Sequence, residues 1–189
     1  MRIVAGEFRG RELVTPAGNK TRPTAARARE ALFSILHDVR EANVLDLYAG
    51  SGALGLEALS RGAERAVFVE SSKAAQRAVE TNLRALALEA RATLLPLRAE
   101  ASLRALGRHA PFTLVFADPP WADAQAALRV LAQLETNLLL APAARLVLEH
   151  AARDTPNLPE NSRLRAVDAR RWGDTGVTIF ETSAGSTTS

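Results

Sequence analysis

Five apolar runs alternate with helix-like segments along most of the chain, and this alternation constrains the fold more than any other feature. The apolar runs occupy 44–48, 66–70, 92–97, 112–118 and 145–150. The segments with helical spacing between them occupy 53–61, 72–87, 99–107 and 123–135. Val, Leu and Phe fill the runs without polar alternation, as in strands of a parallel sheet that is buried on both faces. The pattern predicts a doubly wound α/β fold.

The end of the chain departs from this alternation. The run 164–172, the turn 173–176 and the run 177–181 predict an antiparallel hairpin with no helix between its strands. Five parallel strands followed by such a hairpin fit a seven-stranded Rossmann-like sheet better than the six parallel strands of the dinucleotide-binding fold. We therefore expect a single domain over 1–181 and a disordered tail over 182–189.

A basic segment, residues 1–22, precedes the core predicted over 23–181. Its β-branched and aromatic residues, interrupted by Gly6 and Gly10, predict a small N-terminal β-hairpin extension. Residues 1–29 hold seven cations and two anions, a local charge of +5 in a chain whose net charge is +3. This asymmetry favours a surface that faces a polyanion such as RNA. The arginines proposed for that contact are Arg2, Arg9, Arg11, Arg22 and Arg27.

A helix is predicted to follow the basic segment. It begins near Ala25 with Thr24 as its N-cap, because a threonine hydroxyl can accept from the free N–H groups of the first turn. Its apolar positions share one face, and Arg27 and Arg29 are expected to point toward other surfaces. The apolar positions are Ala28, Leu32, Ile35 and Leu36.

The composition excludes several classes of chemistry. The chain has no cysteine, which rules out disulfides, thiolate metal sites and thiol nucleophiles. Its histidines, His37, His109 and His150, are far apart and lack metal-ligand spacing, so no metal site is expected. No stretch approaches the roughly eighteen apolar residues of a membrane span. We expect a cytoplasmic, monomeric protein that binds neither membrane nor metal.

A glycine-rich loop, LDLYAGSGALGL at 45–56, follows the first predicted strand. Its Gly50-x-Gly52-x-x-Gly55 spacing lets the backbone turn sharply and approach a ligand where a side chain would collide. Glu70 lies 18 residues beyond Gly52 at the end of the second strand, where a carboxylate can accept hydrogen bonds from both ribose hydroxyls. These features fit NAD and S-adenosylmethionine equally well.

Asp46 distinguishes the two cofactors by charge. A dinucleotide places two phosphate charges over the glycine turn, and a carboxylate about 5 Å away would oppose each by about 3 kcal/mol at an effective dielectric of about 20. S-adenosylmethionine carries an ammonium and a sulfonium, which the same carboxylate attracts. The loop therefore favours S-adenosylmethionine, with Asp46, Gly50 and Gly52 as contacts.

Three further polar residues lie in the loops that follow these strands. Ser51 belongs to the glycine loop and Ser71 follows Glu70, so both join the candidate cofactor contacts. Glu100 follows the third strand, on the side where open α/β sheets bind ligands, and can accept a hydrogen bond from an adenine amine. It can equally serve to begin the next helix, where an acidic side chain interacts favourably with the helix dipole.

The tetrapeptide Asp118-Pro119-Pro120-Trp121 ends the fourth predicted strand. Two prolines restrict the backbone and remove two N–H donors, so the turn presents mainly acceptors. The Asp118 carboxylate, the Pro119 carbonyl and the Trp121 ring are expected to converge beside the cofactor.

This set of groups suits methyl transfer to an exocyclic amine of a nucleobase. Such an amine is a poor nucleophile because its lone pair is conjugated with the ring, and acceptors on its hydrogens orient it and stabilise the developing positive charge. Trp121 can stack on an extruded base, a contact worth about 1–3 kcal/mol. Methylation of a pyrimidine ring carbon typically needs a thiolate, which a chain without cysteine lacks.

The chain resembles the RsmD-type 16S rRNA (guanine-N2)-methyltransferases from residue 1 to about residue 181. The matching stretches are MRIVAGEFRGREL, TRPTAARAREALFSIL, LDLYAGSGALGLEALSRGA, FVE, FADPPW and WGDTGVTIFE. The resemblance implies the class I S-adenosylmethionine-dependent methyltransferase fold and methyl transfer to N2 of one guanine of 16S rRNA, position 966 in the family's usual substrate. It also implies that the substrate is an assembling small ribosomal subunit.

The resemblance assigns roles to individual residues. The cofactor loop and the ribose-binding acid correspond to Asp46, Gly50, Gly52 and Glu70. The catalytic motif corresponds to Asp118, Pro119, Pro120 and Trp121. Arg22 and Thr24 fall on the RPT segment near the mouth of the active site, and Thr24 is included among the cofactor contacts. The chain departs from the family pattern at Glu100, where Asp is more usual, and at Trp121, where Phe or Tyr is common.

Other functions fit parts of the pattern. An adenine-N6 methyltransferase acting on DNA or RNA uses the same Asp-Pro-Pro-aromatic turn, so the residues alone leave that alternative open. A nicotinamide-dependent oxidoreductase is disfavoured by Asp46 and by the terminal hairpin. A noncatalytic RNA-binding assembly factor is disfavoured by the intact Asp118 turn.

Overall fold

The computed structural model describes residues 1–16 and 23–182, with side chains in the first helix described from residue 26 onward. The α-helices in these ranges are α1 (Pro23–Leu36), α2 (Ala53–Ser60), α3 (Lys73–Ala85), α4 (Ala99–Leu106) and α5 (Ala124–Thr136). The strands are β1 (Asn43–Leu47), β2 (Arg65–Val69), β3 (Ala92–Leu95), β4 (Phe112–Ala117), β5 (Leu140–Ala151), β6 (Leu164–Trp172) and β7 (Thr175–Thr182). Short 3₁₀ helices span Glu89–Arg91 and Trp121–Asp123. None of the helices in these ranges is both long and apolar enough to cross a membrane.

The seven strands form one sheet in the order β3-β2-β1-β4-β5-β7-β6. β1 to β5 pair in parallel, whereas β7 pairs antiparallel with both β5 and β6. Gly173 adopts a φ of +63° in the turn between β6 and β7, a conformation that glycine reaches without steric cost. The structure confirms the seven-stranded, doubly wound α/β fold with a C-terminal antiparallel hairpin.

Two apolar cores cover the two faces of the sheet. Because successive strand residues point to opposite faces, Phe116 of β4 packs with α1–α3 while Val115 packs with α4 and α5. The ring centroids of Phe33 in α1 and Phe116 lie 5.6 Å apart. The central strands are thus covered on both faces, and the carboxyl ends of the parallel strands remain open to ligands.

The N-terminal segment packs against the domain, and its hairpin is shorter than predicted. Arg2 and Glu12 form an isolated antiparallel bridge in place of two full strands. Ile3 and Leu13 are buried in the core shared with α1–α3. Gly6 lies against α2, where a Cβ atom would fall 1.8 Å from the carbonyl oxygen of Ser60. The segment is therefore part of the domain's packing.

The buried carboxylate of Glu57 in α2 fixes this arrangement. It accepts hydrogen bonds from the backbone N–H groups of Val4 at 2.8 Å and Ala5 at 2.9 Å. It also pairs with Arg61 at 2.9 Å and with Arg29 at 3.5 Å. The prediction that Arg29 points to another surface is wrong, since only 5% of its surface is exposed. A carboxylate inside a core requires charged partners, and Arg29 is one of them.

Two predicted boundaries are also corrected. The first helix begins at Pro23, so Thr24 lies in its first turn and is not the N-cap; proline suits this position because the N–H it lacks would have no helical partner. Thr182, which was assigned to the tail, ends β7, and its hydroxyl accepts from Ala144 N–H at 3.1 Å. Arg22, the Thr24 side chain and residues 183–189 lie outside the described part of the chain.

Candidate active site

A cavity of about 630 Å³ lies at the carboxyl ends of β1–β4. The predicted site residues that line it are Asp46, Gly50, Ser51, Glu70, Ser71, Glu100, Asp118 and Pro120. Gly52, Pro119 and Trp121 adjoin these residues in the sequence without lining the cavity. Among the described residues around it, five carry carboxyl groups and only Arg98 carries a cationic side chain. The cavity is therefore suited to a positively charged ligand.

The glycine loop turns sharply between β1 and α2. Tyr48, Gly50 and Gly52 adopt positive φ values of 59°, 58° and 78°. The third glycine has a different role: a Cβ atom on Gly55 would lie 2.4 Å from Cε1 of Phe68, so α2 can approach β2 only because that side chain is absent. The predicted tight turn is confirmed, and Tyr48 is a non-glycine residue held in a conformation that costs free energy.

Asp46 lies in β1 directly beneath this loop. Its Oδ2 accepts a hydrogen bond of 2.9 Å from the N–H of Gly55, and 2% of the residue is exposed. Burial raises the pKa of Asp46 to about 8, against the opposing effect of the Gly55 hydrogen bond. The nearby carboxylates of Asp118 and Glu70 raise this pKa further. A cationic ligand in the cavity would favour the ionised form of Asp46.

Glu70 follows β2 and is held by two backbone donors. Its Oε2 accepts from Gly50 N–H and its Oε1 from Ser72 N–H, both at 2.7 Å. The residue is 9% exposed and lines the cavity. These bonds connect the end of β2 to the glycine loop and fix the carboxylate before any ligand arrives.

Glu100, in the first turn of α4, extends the acidic lining beyond β3. Its Oε1 lies 3.4 Å from the Tyr48 hydroxyl, and its Oε2 lies 4.0 Å from Nε of Arg98. Partial burial, followed by the charge of Glu100, raises the pKa of Tyr48. Sequence reasoning did not select Tyr48, although its place between the first strand and the glycines was an available signal.

Asp118 follows β4 at the other side of the cavity. Asp118 is exposed, and desolvation by the protein atoms around its carboxyl group raises its pKa. Its carboxyl oxygens accept no hydrogen bond from residues 1–16 or 23–182. Both oxygens are thus available to donors on a ligand.

The prolines that follow Asp118 carry the chain into a short 3₁₀ turn. Pro119 is buried, and the carbonyl of Pro120 accepts from Asp123 N–H at 2.7 Å. Trp121 begins the turn and is 38% exposed, so it is not a core side chain. An exposed indole next to a carboxyl group without donors provides a surface on which a planar base can stack.

Glu149 is a carboxylate that sequence reasoning missed. It lies on β5, the strand next to β4, and burial raises its pKa, as does the charge of Asp118. The apolar run that contains it gave no sign that it neighbours Asp118, because that proximity arises from the pairing of two strands.

The described members of the predicted RNA-binding set, Arg2, Arg9, Arg11 and Arg27, lie on the surface in different environments. Arg9 and Arg27 are exposed. Arg2 pairs with Glu12 at 2.7 Å, and Arg11 donates to the carbonyl of Ala85 at 3.0 Å. The described residues include no cluster of three or more side chains able to hold a metal ion.

A second cavity, of about 470 Å³, lies between α1 and the C-terminal hairpin. Its charged groups pair with one another: Arg145 with Glu181 at 3.2 Å and Arg170 with Asp168 at 3.0 Å. It shares no lining residue with the cavity that contains Asp46 and Asp118. The cavity at the carboxyl ends of β1–β4 is therefore the candidate active site.

Solved structures share this architecture. The yhhF protein of Escherichia coli superposes with a TM-score of 0.82 at 32% identity, covering 98% of this chain and 99% of that one. An RNA methyltransferase from Salinibacter ruber, solved with S-adenosyl-L-homocysteine, has the same fold at 15% identity and a TM-score of 0.63, covering 90% and 98%. The fold is that of the class I S-adenosylmethionine-dependent methyltransferases.

Sequence comparison assigns the chain to one family within that class. The family described as Conserved hypothetical protein 95 matches residues 1–181. The YlbH protein of Bacillus subtilis is 35% identical over 184 residues, covering 96% of this chain and 98% of that protein. The ribosomal RNA small subunit methyltransferase D of Escherichia coli is 37% identical over 163 residues, covering 85% and 80%. The chain belongs to this family, that of the RsmD-type methyltransferases.

Proposed function

We propose that this protein transfers a methyl group from S-adenosylmethionine to the exocyclic N2 amine of a guanine in 16S rRNA, guanine 966 by family resemblance. The observation that carries the proposal is the Asp118 carboxyl group, which lines an acidic cavity and meets no hydrogen-bond donor in the described part of the protein. A carboxyl group without donors at the edge of a cofactor-sized cavity suits an incoming amine. The name of the Escherichia coli relative supports ribosomal RNA as the class of substrate.

The cavity fits S-adenosylmethionine better than a dinucleotide. Glu70, Glu100 and Asp46 line the cavity, and in this proposal Glu70 accepts from the ribose hydroxyls, Glu100 accepts from the adenine amine and Asp46 attracts the cationic methionine end. Ser51 and Ser71 complete the polar lining. A pyrophosphate over the same loop would meet these carboxylates, and no lysine or arginine of residues 1–16 or 23–182 lines the cavity at the glycine turn to balance it.

The residues after β4 would orient the acceptor base. Bound S-adenosylmethionine supplies an electrophilic methyl group. The Asp118 carboxylate and the Pro119 carbonyl accept the two hydrogens of the guanine amine, which turns its lone pair toward the methyl carbon. A nitrogen–carbon bond forms as the sulfur–carbon bond breaks, and the resulting cationic amine then loses one proton. Trp121 holds the base by stacking.

Exposed arginines provide surfaces for the RNA backbone. Arg9 and Arg27 stand on the N-terminal side. Arg170 of β6 pairs with Val177 of β7, which in turn pairs with Glu149 of β5. The exposed Arg170 therefore lies level with Glu149 in the sheet. Contacts of this kind give salt-dependent binding without reading sequence, which suits a folded substrate such as an assembling small subunit.

The proposal is tested by incubating small subunits that lack the modification with the enzyme and S-adenosylmethionine tritiated in its methyl group. Digestion of the rRNA to nucleosides should place the label in N2-methylguanosine. Label in N6-methyladenosine would assign the adenine-amine alternative instead. Complete absence of label from RNA, with S-adenosylhomocysteine bound normally, would refute the proposed substrate class.

A further inference from the structure

Glu149 lies beside the catalytic turn, on the side away from the cofactor cavity. The sheet order places β4 between β1 and β5, so Asp118 stands between Asp46 and Glu149. The cavity is lined by Asp46 and Asp118 but not by Glu149. A target base that approaches Asp118 from outside the cofactor cavity would therefore reach the β5 side.

The strand register brings Glu149 and Asp118 to the same face. Phe116 of β4 pairs with Val147 of β5, and both side chains belong to the core formed with α1–α3. Glu149 lies two positions further along β5, and Asp118 is the first residue after β4, two positions beyond Phe116; a spacing of two places both on this face. Neighbouring strands lie about 4.8 Å apart, so the two carboxyl groups form an adjacent pair.

Neither carboxyl group has a donor within the described ranges. Glu149 makes no hydrogen bond and no ion pair there, and the same is true of Asp118. Burial raises the pKa of both groups, and their mutual repulsion raises that of Glu149 further. Two neighbouring acidic side chains without protein donors repel each other in the free protein, so a ligand that brings several N–H donors would stabilise them.

We propose that Glu149 accepts the N1–H of the target guanine while Asp118 accepts from the N2 amine, so that Glu149 determines the choice of base. This inference rests on the proposed function. Guanine presents N1–H and its N2 amine along one edge, matching a row of two acceptors. Adenine presents an N1 lone pair at the corresponding position, so it has no hydrogen there to donate to Glu149.

The test compares guanine with 2-aminopurine, which keeps the exocyclic amine but has no hydrogen on N1. Small subunits are reconstituted with either base at the modified position, and kcat/KM for methyl transfer is measured. We expect the wild-type enzyme to prefer guanine by about 10- to 100-fold, the range for losing one hydrogen bond and leaving its protein partner unsatisfied. Glu149→Gln should reduce this preference to about threefold or less, because an amide can donate to a bare N1 or accept from N1–H.

Two further variants separate recognition from folding. Glu149→Ala should lower guanine methylation by about 10- to 100-fold and leave 2-aminopurine methylation nearly unchanged, since that base never used the carboxylate. Glu181→Gln makes the same change near the other end of the β5–β7 pairing and should leave the preference unaltered. The affinity for S-adenosylhomocysteine should stay within about twofold in every variant because Glu149 lies outside the cofactor cavity.

The outcomes distinguish this inference from the proposed function. A wild-type enzyme that forms no N2-methylguanosine would overturn both. Normal N2-methylguanosine formation, together with full discrimination against 2-aminopurine by Glu149→Gln, would overturn the role of Glu149 alone.

Discussion

The two halves of the active site differ in how their carboxylates are held. On the cofactor side, Asp46 and Glu70 accept backbone hydrogen bonds from the glycine loop and its neighbour. On the acceptor side, Asp118 and Glu149 meet no donor within residues 1–16 and 23–182. The cofactor half is therefore organised before binding, whereas the acceptor half offers carboxyl groups that donors of a substrate could satisfy. Changes in each half should accordingly affect different measurements.

Asp118→Ala should produce the largest effect, and on catalysis alone. Removing the acceptor at the developing charge should lower kcat for methyl transfer by about 10²–10⁴-fold. The dissociation constant of S-adenosylhomocysteine, measured by calorimetry, should change by less than about threefold. Asp38→Ala, at an exposed position ahead of β1 at the opposite edge of the sheet, is the control and should retain wild-type kcat. If Asp118→Ala lowers cofactor affinity as much as kcat, the two halves of the site do not act separately and the comparison is wrong.

Gly55→Ala should damage the cofactor half through packing. The added methyl group would lie 2.4 Å from Phe68 and 3.1 Å from Oδ2 of Asp46, so α2 must move away from β2. We expect the free energy of unfolding to fall by about 1–3 kcal/mol in urea titrations, with weaker cofactor binding. Gly107→Ala is the matched control, because its new methyl group would lie 3.5 Å from its nearest neighbour, in ordinary contact. Equal stability of the two variants would show that the loop is less tightly packed than the structure indicates.

Asp46→Asn should weaken cofactor binding and raise the stability of the protein in alkaline solution. Because the folded pKa of Asp46 is about 8 and the ordinary value is 3.8, the folded state holds a proton that the unfolded state releases, so stability falls as pH rises from about 4 to about 8. Asparagine can still accept from Gly55 and does not ionise. The variant should be about 2 kcal/mol more stable near pH 8, with a shallower pH slope, and should bind S-adenosylhomocysteine about tenfold more weakly. If the dependence of thermal stability on pH is the same in Asp46→Asn as in the wild type across this range, Asp46 is not the group that causes it.

The arginine surfaces should show the smallest effect. The double variant Arg9→Ala with Arg27→Ala should weaken binding to small subunits. The slope of log K against log salt concentration should become about two units less steep. Cofactor affinity should not change. Arg108→Ala, in the loop that leads into β4 at the far edge of the sheet, is the control. If this slope is unchanged in the double variant, the RNA contacts another surface.

The sequence predicted most of the fold because its signals are local. Uninterrupted apolar runs predicted the five parallel strands, and the turn at 173–176 predicted the terminal hairpin. Gly50, Gly52, Asp46 and Glu70 lie at or near strand ends that the sequence itself indicates. The acceptor half was predicted only in part. Asp118 was found through its proline turn, but Glu149 becomes its neighbour only through the pairing of β4 with β5.

Contacts between distant segments also explain the corrections. Arg29 was expected at the surface because helical spacing puts it off the apolar face. It is buried because Glu57, from a different helix, is fully enclosed and pairs with it. No periodicity within α1 could reveal that partner. Boundaries such as Pro23 and Thr182 were missed by one or two residues, since caps and strand ends depend on individual hydrogen bonds.

The most direct test of the central claim is to locate the methyl group itself. Small subunits lacking the modification are treated with the enzyme and S-adenosylmethionine carrying a trideuterated methyl group, and ribonuclease fragments of the 16S rRNA are sequenced by mass spectrometry. The account predicts one guanine that carries the label on its N2 amine, and an initial rate of labelling at least about 100-fold lower when Asp118→Ala is used. A label on adenine, on a ring nitrogen of guanine, or at undiminished level with Asp118→Ala would contradict it.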